Sequence, residues 1–176
     1  TNIMRIISGK HKGRKLTAPS KLPVRPTTDR AKEGLFNILE NRYDLKNREV
    51  LDLFSGTGNI SYEFGSRGCG KITSVDINKY CISYISKTSN NLDMNIKTVK
   101  EDCIKYLQKT NTKFDFIFLD PPYNYKKHGS IKDIIFSRGL IREGGCLIIE
   151  HNNSTIIEGK VELRKYGTVC FSIFSF

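Results

Sequence analysis

Asp120-Pro121-Pro122-Tyr123 follows directly on the apolar run Phe114-Asp115-Phe116-Ile117-Phe118-Leu119. Such a run, ending at a carboxylate and two prolines, predicts a buried strand that delivers Asp120 to its C-terminal tip. The prolines have no N–H and stiffen the turn, so its carbonyls are expected to stay free for a ligand. A carboxylate, a carbonyl and an aromatic face at one point suit a planar base with an exocyclic amine. Asp120 and a carbonyl of the Pro121-Pro122 turn can accept the two amine hydrogens, which localises the lone pair for in-line attack on a methyl donor. Asp120 is then a positioner and proton acceptor more than a tuned general base. Tyr123 would stack on the target base, a contact worth ~1–3 kcal/mol, after the base has been unstacked from its surroundings. The plainer alternative is a strand-ending turn with a satisfied aspartate.

A second constellation lies upstream. Val50-Leu51-Asp52-Leu53-Phe54-Ser55-Gly56-Thr57-Gly58-Asn59 predicts a strand, a glycine turn and the start of a helix. Ligands of open α/β sheets bind outside the carboxyl ends of strands. Gly56 and Gly58 let backbone approach a ligand, and the following helix N-terminus favours a carboxylate. Asp76, at the tip of the next strand, can accept hydrogen bonds from a ribose diol. Asp52 offers a partner for an ammonium, and Glu101-Asp102-Cys103 supplies another acidic tip, suited to an adenine amine. Phe54, Ser55, Ile77 and Cys103 complete the expected cofactor lining. The turn lacks a third glycine, having Ser61 in that place, and three acids suit a cationic sulfonium and ammonium better than a pyrophosphate. S-adenosylmethionine is therefore preferred to a nicotinamide dinucleotide. Each acid has a structural alternative: Asp76 and Asp102 could cap the helices that follow them.

The elements that must position these residues alternate. Strands are predicted at Val50–Phe54, Lys71–Val75, Ile96–Val99, Phe114–Leu119 and Cys146–Glu150. Helices are predicted at Gly58–Ser66, Asn78–Asn91, Cys103–Lys109 and Ile131–Ser137. The alternation implies a mostly parallel sheet covered on both faces. Lys160–Lys165 and Thr168–Phe174, around Tyr166-Gly167, predict a terminal antiparallel hairpin. Ahead of these, Met4–Ile7 and Arg14–Ala18 flank a turn at Ser8–Gly13 and form a hairpin carrying Arg5, Lys10, Lys12, Arg14 and Lys15. Ala31, Leu35, Phe36, Ile38 and Leu39 recur at helical spacing up to Tyr43, with Thr27, Thr28 or Asp29 as cap. Thr1-Asn2-Ile3, before Met4, is expected to be foreign to the natural chain.

At 176 residues the chain is long enough for one domain with a real core. Twenty-nine Lys and Arg against 18 Asp and Glu give a formal charge of +11, which favours a polyanionic partner; a solvated lysine-rich surface is the bland alternative. No apolar stretch approaches the ~20 residues of a membrane span. The five cysteines are odd in number and without C-x-x-C spacing, so reduced buried thiols in a cytoplasmic protein are expected. His11, His128 and His151 are isolated and suggest no metal site.

The chain resembles the RsmD family, bacterial methyltransferases of the exocyclic amine of guanine 966 in 16S ribosomal RNA. The resemblance runs from Met4 to Phe174 and is most specific at Arg25-Pro26-Thr27-Thr28-Asp29-Arg30-Ala31-Lys32-Glu33-Gly34-Leu35-Phe36-Asn37. The Leu51–Gly58 and Asp120–Tyr123 motifs are shared more widely among amino-methyltransferases. The resemblance implies the Rossmann-like class I S-adenosylmethionine-dependent methyltransferase fold, seven strands with the last antiparallel, plus the N-terminal basic hairpin. It divides the chain into a hairpin and linker over 4–25 and a methyltransferase domain over 26–176. It also implies S-adenosylmethionine as donor and 16S RNA of assembled or assembling small subunits as substrate, acted on by a monomer. Arg25, Thr27, Thr28 and Arg30 become candidate phosphate contacts beside the hairpin. Ser55 stands where the family turn often has alanine, and the short stretch between Glu150 and Lys160 implies that the last crossover helix is reduced to a turn. Two other readings stay open: an amino-methyltransferase of another RNA or DNA base, and a non-catalytic RNA-binding subunit.

Overall fold

The computed structural model describes residues 2–24 and 26–176. The elements, in chain order, are β1 (Asn2–Arg5), β2 (Lys15–Ala18), α1 (Asp29–Arg42), β3 (Glu49–Leu53), α2 (Asn59–Ser66), β4 (Lys71–Asp76), α3 (Lys79–Asn91), β5 (Ile96–Lys100), α4 (Cys103–Lys109), β6 (Phe114–Leu119), α5 (His128–Ser137), β7 (Ile141–His151), β8 (Glu162–Tyr166) and β9 (Val169–Ser175). Strands β3 to β9 form one sheet in the order β5-β4-β3-β6-β7-β9-β8. Its pairings are parallel except those of β9, which runs antiparallel to both β7 and β8. The chain leaves β3 toward one edge and returns to β6 on the other side, so the strand order reverses between β3 and β6. That is where open α/β sheets leave a crevice.

Alternation along the central strands explains the layers. Val50, Phe116, Phe118 and Ile148 point into a cluster with Leu35, Phe36 and Leu39 of α1 and Ile60 and Phe64 of α2. Leu51, Leu53, Ile117, Leu119, Leu147 and Ile149 point the other way, onto Leu107 of α4 and Ile131 and Ile135 of α5. Strands buried on both faces read as near-continuous apolar runs, as β6 does.

The β1–β2 hairpin has its own buried contact: Met4, Ile6 and Ala18 pack with Tyr62 of α2, Ile85 of α3 and Leu92, which caps the C-terminus of α3. Asn2 and Ile3 pair with Ala18 and Thr17, so part of the segment expected to be foreign belongs to the hairpin ladder. A buried charge cluster locks the hairpin down. Glu63 accepts from the amides of Ile7 (2.9 Å) and Ser8 (3.2 Å) and pairs with Lys32 (3.3 Å) and Arg67 (2.8 Å).

Several boundaries differ from expectation: β1 spans Asn2–Arg5 rather than Met4–Ile7, and β8 spans Glu162–Tyr166 rather than Lys160–Lys165. β7 starts at Ile141 rather than Cys146, because the polar and glycine residues between them hide an extended stretch; Gly145 there passes too close to the Asp115 carbonyl for any Cβ. α5 starts at His128 rather than Ile131. Between β7 and β8 there is no helix, and the Asn152 side chain organises the turn by accepting from the amides of Ser154 and Thr155.

Candidate active site

The reversal of strand order opens a cleft of about 630 Å³. One wall is built by the β3 end and its turn. Asp52 is 1% exposed and accepts a 2.6 Å hydrogen bond from Ser61 Oγ, which in turn lies 2.7 Å from Ser74 Oγ. Ser61, standing in place of a third glycine, therefore orients Asp52. Burial, reinforced by the negative Asp76 nearby and opposed by Ser61, pushes the Asp52 carboxyl up to about 7. The chain then turns through left-handed residues: Phe54 (φ 56°), Gly56 (φ 55°) and Gly58 (φ 91°). A non-glycine residue at such a φ is a strained one, and here it sits at the cleft. Gly58 is required twice, by its φ and by the Tyr62 ring, whose edge stands 2.6 Å from where a Cβ would be.

Asp76, at the β4 tip, accepts from the Gly56 amide (2.9 Å) and the Asn78 amide (2.8 Å). It braces the glycine turn and leaves the capping of α3 to Asn78, whose side chain accepts from Tyr80 and Cys81. Asp102 caps α4 by accepting from Lys105 (3.0 Å) while still lining the cleft. Glu101 pairs with Lys109 at 3.1 Å. Ile77 is 67% exposed at the rim, and Cys103 is buried in the core beneath it.

The opposite wall is the β6 tip. Pro121 is buried, Pro122 exposed, and the Tyr123 side chain stands 87% exposed at the mouth. One expectation needs correction: the Pro122 carbonyl is not free, since it accepts from the Tyr125 amide at 2.9 Å. The carbonyl left for a ligand amine is that of Pro121. Tyr125 packs edge-on against Phe54 (5.1 Å) and His128 (5.6 Å), tying the β6 loop to the glycine turn.

Glu150 is a site residue that the sequence reading does not single out. It lies at the end of β7, beside Asp120, because Leu119 pairs with Ile149. Its Oε1 accepts a 2.6 Å hydrogen bond from Thr27 Oγ1. Burial first, and then the neighbouring charges of Glu150 and Asp52, raise the Asp120 carboxyl well above the carboxylate range. Burial likewise pushes Glu150 up to about 7, against the Thr27 hydrogen bond. The signal that singles out Asp52, Asp76 and Asp120, an acid at a strand tip, applies to Glu150 as well. Pro23, Val24, Pro26, His128 and His151 are further additions to the cleft lining.

The expected phosphate contacts separate into groups. Lys10, Lys12, Arg14 and Arg30 are exposed to solvent. Arg5 is exposed but pairs with Asp29 at 2.9 Å. Thr28 is the N-cap of α1, its hydroxyl accepting from the Ala31 amide. Thr27 is 7% exposed and turned inward to Glu150, so burial removes it from a phosphate-binding surface. Arg25 lies outside the described residues. Among the described residues, no Lys or Arg forms an ion pair with Asp52, Asp76, Asp120 or Glu150.

Comparison with known proteins agrees with this geometry. Residues 4–175 match the family described as Conserved hypothetical protein 95. The chain is 30% identical to Ribosomal RNA small subunit methyltransferase D of Buchnera aphidicola subsp. Baizongia pistaciae, over 86% of this chain and 77% of that protein. It is 30% identical to the Escherichia coli K12 protein of the same name, over 84% and 71%. A hypothetical protein of Thermus thermophilus superposes with a TM-score of 0.88 at 23% identity, covering 98% and 99%. The T. thermophilus 16S rRNA N2 G1207 methyltransferase, solved with AdoMet and guanosine, shares the fold at a TM-score of 0.75 and 17% identity, over 98% of this chain and 49% of that one. With its class I methyltransferase sheet and a match over nearly its whole length, this chain belongs to the Conserved hypothetical protein 95 family, that of the small-subunit ribosomal RNA methyltransferase D proteins.

Proposed function

We propose that this protein transfers a methyl group from S-adenosylmethionine to N2 of a guanine in 16S ribosomal RNA, at guanine 966 or its counterpart. The observation that carries this reading is convergence: the Asp120 corner and the braced glycine turn face each other across one cleft. The names of the relatives supply the substrate class.

The residues present fit the cofactor. Carboxyls without a basic partner suit a cation, and the buried Ser55 Oγ, which has no hydrogen-bond partner among the described residues, offers a donor for a carboxylate. S-adenosylmethionine, when bound, supplies an electrophilic methyl on a sulfonium. Asp52 is placed for an ammonium, Asp76 for a ribose diol through its remaining lone pairs, and Asp102 for an adenine amine. At the other wall, Asp120 and the Pro121 carbonyl accept the two hydrogens of the base amine. Held this way, the nitrogen keeps a localised pair aimed into the cleft, and orientation supplies much of the rate gain. Tyr123, exposed at the mouth, is positioned to stack on the incoming base.

Lys10, Lys12, Arg14 and Arg30 would hold RNA phosphates, which position without reading sequence. The substrate is the small subunit or its assembly intermediate, and the enzyme works on it as a cytoplasmic monomer. Labelled methyl transfer to small subunits from a strain lacking this activity, followed by nucleoside analysis, tests the reading. Label in N2-methylguanosine is the expected result; label in an adenine or cytosine derivative, or no transfer, overturns it.

A further inference from the structure

Asp120 follows directly on β6, and Glu150 stands near the end of the neighbouring parallel strand β7, each one position past the Leu119–Ile149 pair, and both line the cleft. Two carboxylates so placed repel, and one proton between them removes the repulsion. Behind them a chain of hydrogen bonds runs to α1. Thr27 donates to Glu150 (2.6 Å), the Thr27 carbonyl accepts from Asn59 Nδ2 (3.1 Å), and Asn59 Oδ1 accepts from buried Lys32 (2.8 Å). Among the described residues, the other titratable groups lining the cleft are Asp52 from β3, Asp76 from β4, Glu101, Asp102 and Cys103 at the start of α4, Cys81 of α3, Tyr123, His128 of α5, and His151 beside Glu150. Lys32 reaches the pair only through Asn59 and Thr27.

We propose that Glu150 is a positioning residue for methyl transfer and, with Asp120, half of a two-carboxyl proton store. The pair holds one proton when the cleft lacks a sulfonium and releases it when one lies beside Asp120. This rests on the proposed function and adds to it a fate for the amine proton. During transfer the amine nitrogen gains the C–N bond, and the electron pair of the broken C–S bond stays on sulfur. The amine proton passes to Asp120 and is shared with Glu150. The positive charge lost at sulfur is thus matched by the carboxylate charge that the proton neutralises, and the buried cleft keeps its net charge throughout.

S-adenosylmethionine and S-adenosylhomocysteine share the ammonium, ribose and adenine, so Asp52, Asp76 and Asp102 meet the same groups in both. Only the sulfonium differs, and the difference between the two ligands isolates the pair. Isothermal titration of each ligand near pH 7, in buffers of different ionisation heat, counts the protons exchanged. S-adenosylmethionine should release roughly half a proton or more beyond S-adenosylhomocysteine. Glu150→Gln, which keeps the side-chain shape, should erase most of that difference. Thr27→Val removes a donor that favours ionised Glu150, so the pH midpoint of the release should move upward; this second variant decides the matter if the first does not fold. Equal proton counts for the two ligands, or an unchanged difference in a folded Glu150→Gln protein, overturn the proposal while leaving the methyltransferase reading intact. No binding of either ligand sinks both.

Discussion

Two clusters of buried charge, within one network of hydrogen bonds, differ in how they are balanced. Lys32 and Arg67 both pair with Glu63, at 3.3 and 2.8 Å, and Glu63 accepts two backbone amides besides. Asp52, Asp120 and Glu150 meet hydroxyls and each other, with no basic side chain among the described residues to neutralise them. Burial raises these carboxyls and lowers Lys32, the direction that disfavours charge in each case. The difference teaches which cluster is structural. A buried charge with its partners in place holds elements together, whereas acids left without a cation suit a site that receives one from a ligand.

The largest expected effect breaks the second cluster. Asp120→Ala should lower kcat for methyl transfer by about 10³-fold or more, since both amine positioning and proton acceptance go. S-adenosylmethionine affinity, measured by calorimetry, should stay within about threefold of the wild type. Breaking the first cluster instead should cost folding and not chemistry. Lys32→Met strips Glu63 of a buried partner and unmoors Asn59 from Lys32, so denaturant unfolding should show a loss of about 3–5 kcal/mol.

Asp52→Asn sharpens the contrast through pH. A carboxyl that is raised in the folded state stabilises the fold fully below its unfolded value, and that contribution is lost as pH climbs through the folded one. For Asp52 the window runs from 3.8 to about 7. The ligand-free wild type should lose part of its stability across this range, and Asp52→Asn should flatten the curve while weakening S-adenosylmethionine binding about tenfold or more. A curve with unchanged slope would remove Asp52 as a titrating group. The smallest effect belongs to the exposed hairpin. Charge reversal at Lys10, Lys12 and Arg14 should weaken RNA binding severalfold at moderate salt, and reduce the salt slope by about one for each phosphate no longer neutralised. The same changes should leave cofactor affinity and folding stability alone, because these side chains are exposed.

The sheet is legible in the sequence because its strands are short apolar runs ended by acids, glycines or prolines, and its helices carry period-3.6 faces with cap residues such as Thr28, Asn78 and Asp102. The start of β7 is not, because Gly144 and Gly145 look like a turn, and only the neighbouring Asp115 backbone explains a glycine inside the strand. Asp120, Asp52 and Asp76 stand out by their places at strand tips. Glu150 shares that place at a strand tip, but only the pairing of β6 with β7 sets it beside Asp120. Thr27 carries no local sign of facing inward, since its hydrogen-bond partner lies 123 positions away.

Local pattern by itself therefore determined the alternation of elements, the glycine turn, the Asp-Pro-Pro-Tyr corner and the basic hairpin, all of them consequences of neighbouring residues. Tertiary structure alone decided which acids share a wall, which threonine faces the core, and which buried charges are left without a counterion. Those outcomes depend on pairings such as β6 with β7 and α1 with the hairpin, which bring together residues that sequence spacing keeps far apart, in a medium where burial makes each missing partner costly.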